Sequence, residues 1–280
     1  MKIIDGKEVS ASVREDIAKE VAKLKNEGKE TGLAVIIVGD NPASRVYVNN
    51  KKKGCEVVGI NSYEYALPTE TTTDQLLTLI DKLNKDDKVD GILCQLPLPK
   101  QIDEDAVINA IASDKDVDAF RPENTGHIMI GDYTFLPCTP AGIIELLKYY
   151  DISIEGKDCV VIGRSNIVGK PMAMLLLHNN GTVTICHSRS QNLKDITSHA
   201  DILVAAVGKE KFVTEDMVKP GAVVIDVGMN RDKEGKLCGD VDFENVKDKC
   251  SFITPVPGGV GPMTITMLLK NTLTASQNHK

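Results

Sequence analysis

Three adjacent lysines at positions 51–53 are the first residues whose type and spacing suggest chemistry. At about 100° per residue along a helix, Lys51 shares a sector with Tyr47, Lys52 lies at its margin and Lys53 lies on the other side. That sector contains Ser44, Tyr47, Val48, Lys51, Cys55 and Val58. Burial lowers the pKa of a lysine and suits it to proton transfer. Because the spacing also fits a lysine whose amine reaches out to water, both interpretations of Lys51 stay open.

Gln95 and Asp118 are further polar candidates. Gln95 ends an apolar run just before Pro97 and Pro99, and Asp118 follows Asp116 in a stretch without periodicity. Such a position at the carboxyl edge of a buried strand is one where ligands bind in parallel sheets. Considered without further information, however, a capped strand end explains Gln95 and a turn explains Asp118.

A second kind of chemistry is indicated by the stretch Asp158–Leu177. An apolar run leads into a turn bracketed by Gly163 and Gly169, and Pro171 then opens an apolar helix. A strand, a tight turn and a helix N-terminus direct unpaired N–H groups and the positive end of the helix dipole at one spot. The pattern therefore predicts a phosphate site. Its two glycines have five residues between them, so the generic G-x-G-x-x-G spacing does not apply.

The next predicted strand, Thr182–Cys186, runs into a turn without a carboxylate that contains Ser188 and Arg189. In dinucleotide-binding domains an acidic residue here favours NAD, whereas a basic one accommodates the extra phosphate of NADP. Arg189 and Ser188, with Arg164 nearby in the opening loop, favour NADP over NAD. A solvated basic turn is the alternative. A later segment, Asp226–Arg231, also follows a strand and contains a glycine that would let backbone approach the cofactor.

Strands and helices alternate along the chain, which predicts an α/β protein with two lobes. We expect an N-terminal α/β catalytic domain at 1–138 and a Rossmann-like, doubly wound NADP-binding domain at 139–262. The last helix, Met263–Ala275, is expected to return to the first lobe, so that 263–280 pack there. Between 113 and 140 the periodicity disappears, and we expect a long irregular segment.

The composition excludes several functional classes. The 280 residues are 42% hydrophobic and 26% charged, and the net charge of −7 argues against a nucleic-acid binder. No apolar run approaches the roughly 20 residues of a membrane span, and the N-terminus lacks the apolar core of a signal peptide. The seven scattered cysteines include no C-x-x-C pair, so we expect reduced thiols, a cytoplasmic protein and no metal site.

Five sequence strings together resemble one enzyme family. They are YVNNK (Tyr47–Lys51), DGILCQLPLP (Asp90–Pro99), DKDVDAF (Asp114–Phe120), VVIGRSNIVGKP (Val160–Pro171) and TPVPGGVGPMT (Thr254–Thr264). In this order they are similar to the bifunctional methylenetetrahydrofolate dehydrogenase/methenyltetrahydrofolate cyclohydrolase family. The resemblance covers nearly the whole chain.

The resemblance assigns roles to individual residues. It implies that Lys51 is the main catalytic residue, that Gln95 hydrogen-bonds it, and that Asp118 binds the pterin ring. Tyr47 would stack on the aminobenzoate ring of the folate. The folate would also be bound by Pro257, Gly258, Gly259 and Pro262. NADP would contact Gly163, Arg164, Ser165, Ser188 and Met229. A homodimer is implied as well.

Two residues depart from the family pattern beside the expected pterin site. Ala119 stands where the family usually has glycine, and Arg121 where histidine is common. If position 119 has a positive φ, alanine costs about 1 kcal/mol of strain.

The function implied is NADP-dependent oxidation of 5,10-methylenetetrahydrofolate, followed by hydrolysis of the 5,10-methenyl product to 10-formyltetrahydrofolate, in one-carbon metabolism and purine biosynthesis. Three alternatives stay open. They are a monofunctional NAD(P)-dependent dehydrogenase on the same scaffold, a shikimate-dehydrogenase-like oxidoreductase, and a nucleotide-sensing regulator without catalysis. Loss of Lys51 or Gln95 would favour the regulator, and both are present.

Overall fold

The computed structural model describes residues 1–279 and divides into two compact units. The first unit comprises Ser12–Cys138 and 265–279, and the second comprises Met1–Ala11 and Thr139–Thr264. Within the described residues, no helix is long and apolar enough to cross a membrane.

Helices and strands alternate through most of the chain. The helices are α1 (Gly6–Asn26), α2 (Pro42–Val58), α3 (Thr73–Asn84), α4 (Glu104–Ala110), α5 (Pro122–Ile130), α6 (Cys138–Tyr149), α7 (Gly169–His178), α8 (Leu193–Thr197), α9 (Phe243–Val246) and α10 (Val260–Asn278). The strands are β1 (Lys2–Ile3), β2 (Gly32–Val38), β3 (Asn61–Leu67), β4 (Gly91–Cys94), β5 (Asp158–Ile162), β6 (Thr182–Cys186), β7 (Ile202–Ala205), β8 (Val223–Asp226), β9 (Asn230–Arg231), β10 (Leu237–Cys238) and β11 (Phe252–Ile253).

The first unit is built on a parallel three-stranded sheet in the order β3-β2-β4. Every residue of the central strand β2 is buried, as its continuous apolar run predicts. Helix α2 follows β2, and the Asn41 side chain caps it by accepting from the N–H groups of Ala43 at 2.9 Å and Ser44 at 3.3 Å. Gly59 ends the helix with a φ of 82°. The Asn41 cap and the left-handed Gly59 thus set the two ends of helix α2.

The segment predicted to be irregular contains a helix that the sequence analysis did not anticipate. Helix α5 begins at Pro122 and is stopped by Gly131, whose φ is 79°. Only Asn124 and Ile128 of this helix are buried. The prediction failed here because two buried residues in nine do not produce an apolar stripe with helical period.

The second unit is built on a six-stranded parallel sheet in the order β1-β11-β8-β7-β5-β6. This doubly wound arrangement confirms the expected Rossmann-like fold. The loops after β5, β6, β7 and β8 leave the carboxyl edge of the sheet, where ligands bind in this architecture. The first eleven residues group with this unit rather than with the first, because Lys2 and Ile3 pair with Phe252 and Ile253.

Candidate active site

Helix α2 has one buried face, which includes Lys51. The buried residues include Ser44, Val48, Lys51, Cys55 and Val58, as the helical spacing predicts. Lys51 is 9% exposed, whereas Val57 is 65% exposed on the opposite side. Lys52 and Lys53 are also exposed. Of the three adjacent lysines, therefore, only Lys51 is removed from water.

Gln95 is the hydrogen-bond partner of Lys51. The Lys51 amine donates to Gln95 Oε1 at 2.9 Å, and Gln95 Nε2 donates to the carbonyl of Leu96 at 2.6 Å. The backbone N–H of Gln95 donates to Ile36 O at 2.8 Å, which fixes this residue directly after β4. The amide of Gln95 is thus held with its oxygen towards the lysine.

Burial and charge act in opposite directions on Lys51 and Asp118. Burial lowers the pKa of Lys51, and the nearby Asp118 carboxylate partly offsets that effect. Burial likewise raises the pKa of Asp118, and the charge of Lys51 opposes the shift. Both changes favour neutral forms over the charged forms that prevail in water. A lowered pKa makes the amine of Lys51 easier to deprotonate than that of a lysine in water, which suits it to proton transfer.

The backbone around Asp118 is anchored by Asp116. The Oδ2 atom of Asp116 accepts from Arg121 N at 2.9 Å and from Asn124 Nδ2 at 2.8 Å. Ala119 follows Asp118 in the sequence and precedes both of these donors. It is buried and has a φ of 58°. The position therefore has the positive φ at which a glycine is expected. A small cavity, lined mainly by apolar side chains of β4 and α4, lies against both Asp116 and Asp118.

Two residues that sequence reasoning missed hold Asp118 in place. The thiol of Cys138 donates to Asp118 Oδ1 at 3.6 Å and to Val117 O at 3.5 Å. Asn271 Nδ2, on α10, donates to Val117 O and to Leu136 O, both at 2.8 Å. From the sequence, the cysteines were expected only to be reduced thiols, and Cys138 was given no role of its own. The signal for Asn271 was available, because it is a buried amide within an apolar helix.

In the second unit, the turn after β5 depends on its two glycines. Gly163 has a φ of 134°, and a Cβ there would lie 2.3 Å from Ala206 O. A Cβ on Gly169 would lie 2.3 Å from Gly163 O. Ser165 Oγ accepts from the N–H groups of Val168 at 3.2 Å and Gly169 at 3.3 Å, where α7 begins. The closely folded backbone leaves the N-terminus of α7 at the ligand-binding edge of the sheet.

The other candidate cofactor residues lie in loops at the same edge of the sheet. Ser188 and Arg189 are exposed in the turn after β6, and Arg164 is exposed in the turn after β5. Met229 is 47% exposed in the loop after β8. The six predicted cofactor residues therefore belong to three loops at one edge of one sheet.

The glycine-rich segment before α10 packs against the start of α1. Gly258 has a φ of 110° and accepts at its carbonyl from Gly6 N at 2.9 Å. A Cβ on Gly6 would lie 1.7 Å from Gly259 O, so the two backbones touch. Pro257 is exposed and Pro262 is partly buried. These residues belong to the second unit, whereas Tyr47, Lys51, Gln95 and Asp118 belong to the first.

Two family models match the chain. Residues 4–118 match the tetrahydrofolate dehydrogenase/cyclohydrolase catalytic domain, and residues 137–280 match the NAD(P)-binding domain of the same family. The Lys51 site thus falls within the first matched region. The carboxyl edge of the six-stranded sheet falls within the second.

Individual relatives cover the whole chain. The "Bifunctional protein FolD" of Acetivibrio thermocellus is 62% identical over 99% of this chain and 97% of its own. A crystal structure of the bifunctional FolD enzyme from Campylobacter jejuni is 51% identical, with a TM-score of 0.98 over 100% of both chains. The Trypanosoma brucei FolD structure, complexed with NADP cofactor and inhibitor, is 38% identical, with a TM-score of 0.94 over 98% of this chain and 97% of that one.

A shikimate dehydrogenase from Thermus thermophilus is similar in fold alone, at 14% identity and a TM-score of 0.52. The shikimate-dehydrogenase-like alternative is therefore not favoured. The buried Lys51–Gln95 pair, the glycine turn before α7, two matching family models and full-length relatives agree. The chain belongs to the tetrahydrofolate dehydrogenase/cyclohydrolase family.

Proposed function

We propose that this chain oxidises 5,10-methylenetetrahydrofolate with NADP⁺ and then hydrolyses the 5,10-methenyl product to 10-formyltetrahydrofolate. The observation that carries the proposal is the hydrogen bond of 2.9 Å between the buried Lys51 amine and Gln95. A dehydrogenase alone needs no such proton-transfer group. The Campylobacter jejuni enzyme, which matches this chain over its full length, is described as a bifunctional methylenetetrahydrofolate dehydrogenase/cyclohydrolase.

The oxidation step requires orientation rather than acid or base. A hydride leaves the methylene carbon and leaves behind a delocalised methenyl cation, so no residue has to move a proton. NADP⁺, when bound, supplies the hydride acceptor. We assign the pyrophosphate to the turn Gly163–Ser165, because this turn lies between β5 and the N-terminus of α7 at the ligand-binding edge of the sheet. Arg189 and Ser188 would bind the 2′-phosphate, and Met229 would contact the nucleotide.

The hydrolysis step requires proton transfer, for which Lys51 is suited. Its amine accepts a proton from the water whose oxygen adds to the methenyl carbon. When the bond from this carbon to the leaving ring nitrogen breaks, one proton passes to that nitrogen, and the second water proton is released to solvent as the formyl C=O forms. Gln95 orients the amine through its Oε1 atom. Asp118 binds the pterin ring and Tyr47 stacks on the aminobenzoate ring. We also assign Pro257, Gly258, Gly259 and Pro262 to folate binding.

Replacement of Lys51 by Met tests this division of labour. Lys51→Met should abolish hydrolysis and retain part of the dehydrogenase activity, because only hydrolysis uses the amine. Purified protein is mixed with 5,10-methylenetetrahydrofolate and either NADP⁺ or NAD⁺, and reduced nicotinamide, methenyl and formyl products are followed. Lys53→Met is the matched control, since Lys53 is exposed on the same helix.

Three results would contradict the proposal or a part of it. Equal loss of both activities in Lys51→Met, with folate binding intact, would refute the separate role of the lysine. An unsubstituted protein without turnover with either nucleotide would refute the function itself. Faster turnover with NAD⁺ than with NADP⁺ would refute the role given to Arg189.

We also propose a homodimer, a cytoplasmic location and a role in supplying formyl groups for purine biosynthesis. The homodimer is supported by β6, which is an edge strand of the six-stranded sheet. Thr182, Thr184 and Ile185 of this strand are exposed. An edge strand with unpaired backbone groups and an exposed apolar residue is a ready surface for pairing with a second chain.

A further inference from the structure

A carboxylate outside the catalytic residues ties together the loops after β7 and β8. Asp240 is 0% exposed. Its Oδ2 accepts from Val207 N at 2.6 Å and Gly208 N at 3.0 Å, and its Oδ1 accepts from Lys209 N at 2.8 Å. Oδ1 also accepts from Asn230 Nδ2 at 2.9 Å. One side chain therefore holds three successive residues of the loop after β7 and the side chain of Asn230, which directly follows the loop after β8.

Asp226, at the end of β8, extends this network. Its Oδ1 accepts from Gly228 N and from Asp240 N, both at 2.9 Å, and its Oδ2 accepts from Val241 N at 2.9 Å. The backbone N–H of Asp226 donates to Thr254 Oγ1 at 2.7 Å, directly after β11. Burial raises the pKa of Asp226 to about 6. Near neutral pH the carboxylate is thus ionised and is stabilised by its N–H donors.

Two glycines allow the backbone to approach these carboxylates. A Cβ on Gly228 would lie 2.3 Å from Asp240 Oδ1, and a Cβ on Gly239 would lie 1.8 Å from Asp226 Oδ2. The hydrogen bonds to both carboxylates come from backbone N–H groups and from Asn230. Such a fully satisfied buried network rigidifies the segments it joins.

The loops that this network joins lie on one side of the predicted dinucleotide site. In a doubly wound sheet the adenosine ribose lies beyond the second strand, here β6, and the pyrophosphate lies at the turn after the first strand, here β5. The strands on the other side of β5 are β7 and β8. The nicotinamide half of the cofactor is therefore expected at the loops that Asp240 and Asp226 hold.

We propose that Asp240, supported by Asp226, is a positioning residue for the nicotinamide half of the dinucleotide, because it fixes the loops after β7 and β8 before the cofactor binds. The inference rests on the proposed function for the identity of the cofactor. It assigns no part in the chemistry of the folate to either aspartate. The held loop includes Met229, whose side chain is half-exposed at the sheet edge.

Asp240→Asn in the full chain tests the proposal. An amide offers one acceptor atom and places donor hydrogens against N–H groups, so the loops lose their anchor. The dissociation constant for NADP⁺, measured by calorimetry without folate, should rise by about tenfold, the effect of roughly one lost charge-assisted hydrogen bond. Hydrolysis of 5,10-methenyltetrahydrofolate, which uses no nucleotide, should be unchanged.

Asp201→Asn is the matched control. Asp201 Oδ2 accepts from Asp158 N at 3.0 Å, and Oδ1 accepts from Lys219 Nζ at 2.6 Å. This carboxylate also holds backbone of the same sheet, but it lies at the beginning of β7, away from the ligand-binding edge. Its replacement should leave the affinity for NADP⁺ unchanged.

A second pair of variants covers the case in which Asp240→Asn does not fold. Gly208 has a φ of 66° and open space where a Cβ would lie, so Gly208→Ala strains the loop and leaves the Asp240 side chain in place. It should weaken NADP⁺ binding. Gly235→Ala, at a φ of 79° in the turn between β9 and β10, imposes the same strain elsewhere. It should leave the affinity for NADP⁺ unchanged.

The results of these experiments distinguish a failure of the inference from a failure of the proposed function. Unchanged NADP⁺ affinity in a folded Asp240→Asn variant would overturn the inference, as would equal loss of nucleotide binding and hydrolysis. If that variant does not fold, unchanged affinity in Gly208→Ala would overturn it. An unsubstituted protein that binds NADP⁺ but turns over no folate would refute the proposed function, while weaker binding in Asp240→Asn would still support the positioning role.

Discussion

Ala119 is the residue whose backbone conformation fits its type least. Its φ of 58° lies in the left-handed region, which costs a residue with a Cβ about 1–2 kcal/mol. Its N–H donates to Asp116 O at 3.0 Å, so the turn between Asp116 and Asp118 fixes this conformation. The strain is therefore stored beside the carboxylate that we assign to the pterin.

Ala119→Gly should leave the free energy of unfolding nearly unchanged. Relief of about 1–2 kcal/mol of strain is offset by loss of a buried methyl, about 0.8 kcal/mol, and by the greater freedom of glycine in the unfolded chain. Ala275→Gly is the control, because Ala275 is equally buried but lies in helix α10. There no strain is relieved, and urea denaturation should reveal a loss of about 1–2 kcal/mol. Equal losses in the two variants would contradict the argument.

For individual residues, the sequence predicted which side chains are buried better than it predicted which side chains contact each other. The helical spacing placed Lys51 in the buried face of α2, but its partner Gln95 was expected only from the resemblance. No spacing rule connects residues 44 positions apart, because that contact forms only when β4 and α2 pack. The contact of Cys138 with Asp118 escaped prediction for the same reason.

Among the elements, α10 supports both parts of the lysine site. A Cβ on Gly54 would lie 3.2 Å from Ile265 and 3.3 Å from Leu269, so α10 packs closely on α2 one turn beyond Lys51. Farther along the helix, Asn271 holds the backbone that carries Asp118. The last helix of the chain thus positions the amine and the carboxylate together.

Asn271→Ala should lower both stability and hydrolysis. The carbonyl groups of Val117 and Leu136 lose a buried donor, which costs about 1–3 kcal/mol for each group left unsatisfied. Hydrolysis should fall because Asp118 is no longer held beside Lys51. Urea denaturation and the rate of methenyl hydrolysis measure the two effects. Thr274→Ala, at a partly exposed position of the same helix, should change neither. An unchanged hydrolysis rate in folded Asn271→Ala would refute this role of α10.

Helices and strands were predictable where the local sequence signals agreed. They were not predictable where the sequence lacks a periodic apolar pattern and the element makes tertiary contacts instead. The strand β2 and the helix α2 carry an apolar run, a cap, a first-turn proline and a terminal glycine, so each level of the pattern indicates the same structure. Helix α5 has a proline at its start and a glycine at its end, but no apolar stripe between them. Asn124 of this helix donates to Asp116 Oδ2, a tertiary contact that the sequence pattern does not reveal.

For the whole molecule, the edge strand β6 leads to a prediction about assembly. Light scattering should give twice the 30.4 kDa mass of the chain. Ile185→Lys should reduce the mass to that of one chain, because a charge on an edge strand opposes pairing with a second strand. Ile130→Lys is the control, since Ile130 is 73% exposed on α5. A single-chain mass for the unsubstituted protein would refute the dimer, and an unaffected mass in Ile185→Lys would refute the role of β6.

The division of the chain between the two units has a practical consequence for constructing chimaeras. The backbone passes from one unit to the other at three places, 11–12, 138–139 and 264–265, so neither unit is a continuous stretch of sequence. A single crossover at 138 would combine β1 of one parent with β11 of the other, and would separate Asn271 from the segment it holds. To transplant the nucleotide preference of a homologue, Met1–Ala11 and Thr139–Thr264 must be exchanged together, as two insertions into one recipient gene.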